Sequence, residues 1–135
     1  MNKLRSLALL VVVTHWMIAI VHLLFAAEVL PPPNNVSWIA IVLITAGHVG
    51  VSIALWLLSN RPAGWVALIF FLCALGADVY EHFLHASANN VFMLAASDWV
   101  AWFDASVVGL LALEILACLM GILLISGWRS PRAAV

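Results

Sequence analysis

Four stretches of this chain are long and apolar enough to cross a membrane: about residues 7–29, 36–59, 65–86 and 99–126. A span of hydrocarbon takes about twenty residues of helix at ~1.5 Å rise each. Because lipid offers no hydrogen-bond partner to a backbone N–H or C=O, each stretch is expected to be an α-helix that satisfies its own backbone. Composition agrees, with 67 % hydrophobic and 8 % charged residues and a mean hydropathy of +1.18, well outside the soluble globular range. The four runs use up most of the 135 residues. The expectation is therefore one all-α integral membrane domain, an up-down four-helix bundle with no separate soluble part.

Local signals divide the runs. Pro31-Pro32-Pro33 ends the first, since proline lacks an amide donor and biases the preceding residue away from helix. The turn Ser59-Asn60-Arg61-Pro62-Ala63-Gly64 separates the second and third, which should be antiparallel neighbours. Ser97 or Asp98 is placed to cap the fourth, and Gly127 with Pro131 to end it. Between Ser87 and Ser97 the apolar stretch is too short to span and is expected to lie along the membrane surface. A cleaved signal peptide competes for the first run, given Lys3, Arg5 and the small pair Ala26-Ala27, but the apolar region is too long for one.

Lys3, Arg5, Arg61, Arg129 and Arg132 all fall at one end of an alternating bundle. The positive-inside rule then predicts cytoplasmic termini, and in a bacterium an inner-membrane protein whose other end is periplasmic. Trp38, Trp99 and Trp102 near the outer boundary and Trp56, Trp65 and Trp128 near the inner one suit interfacial belts. The bilayer is the expected surroundings. A net charge of −1 argues against a nucleic-acid partner. Cys73 and Cys118 stand alone, without the paired spacing of redox or zinc motifs.

The chemistry is concentrated in Asp78-Val-Tyr-Glu-His-Phe-Leu-His85. On an α-helix Asp78, Glu81, His82 and His85 fall at i, i+3, i+4 and i+7, one stripe of about 100°. His22 on the first helix and Asp104 on the fourth come to the same depth as Asp78 and His82, while His15, His48 and Glu114 form a deeper layer. Glu28 and Asp98 sit at the outer rim. No lysine or arginine lies in this half to neutralise its carboxylates, so they must be protonated, paired with histidine, or bound to a cation.

Three functions follow from that pattern. In the first, His22, Asp78, Glu81, His82, His85 and Asp104 supply nitrogen and oxygen ligands to iron, zinc, copper or manganese, for redox chemistry or metal handling. The i, i+4 spacing by which HExxH helices present two ligands supports it. In the second, haem b is held between histidines on facing helices, His15 with His48 and His22 with His82, in an electron-transfer subunit. In the third, the two polar layers relay protons in a small carrier or an accessory subunit, as a homo-oligomer or within a larger membrane complex, since four short helices promise little room for a substrate cavity. Asp78-x-x-x-His82 is similar to part of a metal site in one membrane subunit of the copper-dependent methane and ammonia monooxygenases. That pattern implies a further histidine where this chain has Ala95, and the likeness covers those two residues.

Overall fold

A computed structural model describes residues 3–30 and 38–127. The expected stop at Pro31 to Pro33 and the positions of Trp128, Arg129, Pro131 and Arg132 lie outside the described residues. The elements are α1 (Lys3–Val29), α2 (Trp38–Leu57), α3 (Asn60–Val79, continued by a π-helical turn Tyr80–Leu84) and α4 (Val100–Ser126). Among the described residues these four are long and apolar enough to cross a membrane. They form a ring in which α4 packs against α3 and α1, and α2 against α1 and α3.

Two ends differ from expectation for local reasons. α3 begins at Asn60 and absorbs Pro62 and Gly64. Proline is tolerated in a first turn because its missing N–H has no helical partner there. α4 begins after Trp99 with no side-chain cap; Ser97 contributes its backbone carbonyl to Val100 N–H at 3.3 Å instead.

Packing is tightest where the side chains are smallest. At the basic end, Ala63, Gly64 and Ala67 of α3 face Ala117 and Gly121 of α4, all in or against one buried apolar cluster. Small residues let backbones approach, and in lipid that contact replaces the hydrophobic drive. A Cβ added to Gly64 would stand 2.7 Å from the Gly121 carbonyl oxygen. Arg5 ties α1 to α2 at the same end: its guanidinium donates to the Leu55 and Trp56 carbonyls, groups left unpaired by the end of α2 and favoured by a cation. Trp56 and Trp65 are exposed at this end, Trp38, Trp99 and Trp102 at the other, as interfacial belts require.

The opposite end is closed by the chain between α3 and α4. The π-turn ends with His85 N–H donating to the Tyr80 carbonyl at 2.7 Å, and Val91 N–H then returns to the His82 carbonyl at 3.0 Å. Asn90, buried, donates to the His85 carbonyl at 2.9 Å. Ala88, Val91 and Leu94 turn inward onto Ala26, Leu30, Phe103 and Val107. The segment expected to lie on the membrane surface packs part of its apolar side against the bundle's end, while Phe92, Met93, Ala95, Ala96 and Ser97 are exposed.

α2 is joined unevenly. Its buried residues are His48, Val51, Ala54 and Leu55, all in the half nearer Arg5. From Trp38 to Gly47 nothing is buried, and spaces of about 640 Å³ and 270 Å³ flank that half on its two sides.

Replacing Gly64 with alanine should cost about 1–3 kcal/mol, because the obstructing atom is backbone and the helices must part. Gly50→Ala, with nothing within 4 Å of the added carbon, should be neutral or stabilising. Thermal unfolding in mild detergent compares the two; equal melting temperatures would refute the α3–α4 contact.

Candidate functional site

Between the two apolar clusters lies a tier of polar side chains, in which His15, His22, His48, His82, Ser106 and Glu114 are buried. Its deeper part is a hydrogen-bonded row across three helices. His48 Nδ1 stands 2.6 Å from the Ile44 carbonyl, His48 Nε2 lies 2.7 Å from His15 Nδ1, and His15 Nε2 lies 3.2 Å from Glu114 Oε1.

The chemistry of the partners orders the hydrogens in this row. A carbonyl only accepts, so His48 Nδ1 carries a hydrogen and donates it. In neutral His48 the other nitrogen is then an acceptor, so His15 Nδ1 donates. That leaves His15 Nε2 facing Glu114 Oε1 with a single hydrogen for the two of them: on the carboxyl, or on an imidazolium beside a carboxylate. Shifting hydrogens along the row moves the positive charge on to His48. One transferable proton therefore has three stations, Glu114, His15 and His48.

Glu114 is fully enclosed, and its carboxyl stands beside that of Asp78, near enough for a side-chain hydrogen bond between the two. Asp78 lines the same cavity and stands close enough for Glu114, His15 and His82 all to act on it electrostatically. It bridges the deeper row to a shallower pair. There, His22 Nδ1 meets Ser106 Oγ at 2.9 Å; the hydroxyl donates to the Phe103 carbonyl at 2.6 Å and so accepts from the ring. His82 Nδ1 donates to the Asn89 carbonyl at 2.9 Å. The two rings meet edge to face, centroids 5.1 Å apart, with Phe103 against both.

The six residues expected to ligate a metal are divided by this geometry. The π-turn and the extended backbone at His85 break the stripe. Asp78 and His82 turn inward, while Glu81 and His85 form a half-exposed pair 3.5 Å apart. Asp104 is half-buried, with Oδ1 enclosed and unpartnered. Among the described residues no three His, Cys, Asp or Glu side chains are grouped to hold one ion. The fixed Nδ1–H of His22 and His82 leaves an Nε2 lone pair on each, the orientation ligating histidines adopt, but two such nitrogens fall short of the three or four protein ligands a zinc-type centre uses.

The expected haem pair His15 and His48 is stacked at 5.0 Å and 19°, with all four ring nitrogens engaged. An ion between the facing nitrogens would need about twice a ~2 Å metal–imidazole bond, and they are 2.7 Å apart. Glu28 and Asp98 are exposed at the rim. On α2, Thr45 accepts from Trp16 Nε1 at 3.3 Å.

Reading residues alone missed the cavity. A single chain encloses about 640 Å³ between α2 and the rest of the bundle, lined by His15, His22, His48, Asp78 and Glu114 among apolar side chains. Its rim carries exposed Leu43, Cys73 and Ala77, so it opens sideways, towards lipid. The available signal was the small-residue face Ala74, Ala77 and Cys73 on α3. Comparison with protein-family models, with curated proteins and with solved structures gives no match.

Replacing His15 with leucine should strand His48 Nε2 and Glu114 Oε1 and cost about 1–3 kcal/mol for each unsatisfied group. His85→Ala, removing half of an exposed pair, should leave thermal unfolding unchanged. A native melting temperature in H15L would show that the row carries no stability.

Proposed function

We propose that this chain is a proton-exchanging membrane protein whose buried carboxyl–imidazole row gives and takes a proton at a cavity open to the lipid, either as a small carrier or as a subunit of a larger complex. The observation that carries this reading is Glu114: enclosed in the bundle, joined through His15 to His48, and lining the cavity. Ionisable groups at such depth are costly and usually mark proton or ion sites.

A continuous proton channel fits less well. Towards the basic end the row meets the apolar cluster of Val11, Val12, Val51, Leu55, Phe71 and Leu124, whose side chains carry no proton to exchange. On α2 it ends at the Ile44 carbonyl, which can accept a hydrogen but pass none on. The exchange is therefore with whatever occupies the cavity.

Infrared spectra of the protein in lipid, in H₂O and D₂O, test this. A carboxylic-acid C=O band that vanishes in Glu114→Gln and shrinks or shifts in His15→Gln is expected, because the two groups share one hydrogen. Identical spectra for the native chain and E114Q from about pH 5 to 9 would sink the reading.

A further inference from the structure

Two carboxyls meet in the wall of the cavity. Asp78 of α3 and Glu114 of α4 both line it, near enough to each other for a side-chain hydrogen bond. A carboxylate only accepts, so that bond requires a hydrogen between the two; without it, two like charges would lie in contact inside the membrane. Glu114 is fully enclosed and Asp78 only half-buried, so the side of the pair that meets the cavity belongs to Asp78.

The surroundings supply no fixed positive charge. Among the described residues Lys3, Arg5 and Arg61 all lie at the opposite end of the bundle, with Arg61 about 25 Å of helix away from Asp78. His22, in the same wall, keeps its hydrogen at Nδ1 against Ser106 and can offer only a lone pair at Nε2. The wall thus presents acceptors and negative charge, set among Leu23, Ile44, Phe70, Ala74 and Leu110. A volume of about 640 Å³ is in the range of small-molecule sites, and the mouth at exposed Leu43, Cys73 and Ala77 opens towards lipid.

We propose that the cavity binds a lipophilic amine in its protonated form, the ammonium donating to the Asp78 carboxylate and the apolar body lying along Phe70, Ala74 and Ala77, and that its arrival releases the hydrogen held between Asp78 and Glu114. This inference rests on the proton-exchange reading and names what the proton is exchanged for. One positive charge enters and one leaves, so the charge of the enclosed site is the same loaded and unloaded, and neither state exposes a new charge to hydrocarbon. A small inorganic cation would leave the apolar volume unfilled, and a neutral alcohol would leave the carboxyl pair holding its hydrogen.

The test uses the full chain in nanodiscs of zwitterionic lipid at about pH 8, where an alkylamine is charged, with phenylbutylamine as probe and phenylbutanol as its neutral counterpart. Thermal unfolding reads binding, since a ligand of the native state raises the melting temperature by mass action; a pH indicator in weakly buffered solution reads proton release, with empty nanodiscs as baseline. A saturable upward shift is expected with the amine, at least about tenfold tighter than with the alcohol, together with release of about one proton per amine bound. Asp78→Asn should weaken binding at least about tenfold and abolish the release. Ala77→Phe, which fills the mouth, should abolish both, and Val66→Phe, on an exposed face of α3 away from the cavity, should leave both intact.

No saturable shift with the amine in the folded native chain overturns the proposal, as does an equal response to the alcohol or an unchanged response in A77F or D78N. Binding that follows Asp78 and Ala77 without proton release overturns the exchange. The infrared band of Glu114 separates this inference from the reading beneath it: if the band behaves as expected while the amine fails to bind, the ligand is wrong and the proton row stands. If the band is absent while the amine binds and D78N weakens it, the row falls and a cation site remains.

Discussion

A carboxyl group enclosed in a membrane protein must find its partners within the fold, and Glu114 sets the terms for much of this one. It is fully buried on α4, so α1 must bring His15 to it and α2 must bring His48 to His15. Three helices are thereby held at one level by directional bonds, where apolar packing in lipid would leave their rotation loosely specified. The apolar clusters above and below keep water from competing for those bonds. Low surrounding polarity makes each of them stronger and makes an unpaired member more costly.

The fold was largely legible, and for a simple reason: hydrocarbon imposes length and helicity on any segment that crosses it, so Leu7 to Val29 could hardly be misread. Boundaries were legible to within a few residues. They failed where a nominal helix breaker stood in a permissive place, as Pro62 does in the first turn of α3, or where capping passed from a side chain to the backbone, as at Ser97.

The ionisable residues of the site are legible in the sequence, and their grouping depends on the backbone of one turn. Depth along each helix puts His15, His48 and Glu114 in one deeper layer, and they form one hydrogen-bonded row, whereas an ideal helical period puts Asp78, Glu81, His82 and His85 on one face. A single π-turn undoes that period, sending Glu81 and His85 outward and leaving Asp78 and His82 inside. Nor does a helical wheel contain volume. The cavity arises from α2 diverging from its neighbours, a tertiary property that no spacing within one helix encodes.

That divergence has a mechanical side. α2 is fastened near its Leu55 end by Arg5 and gripped at Gly47, where Phe70 would lie 2.4 Å from an added Cβ, while the portion beyond carries no buried residue. A rod fixed at one end amplifies small rotations at the other. At ~1.5 Å per residue the stretch from Gly47 to Trp38 spans about 14 Å, so a tilt of about 10° would sweep its Trp38 tip through about 2 Å. The lateral opening is thus bounded on one side by the half of α2 that carries no buried residue, so its width follows the tilt of that half-helix.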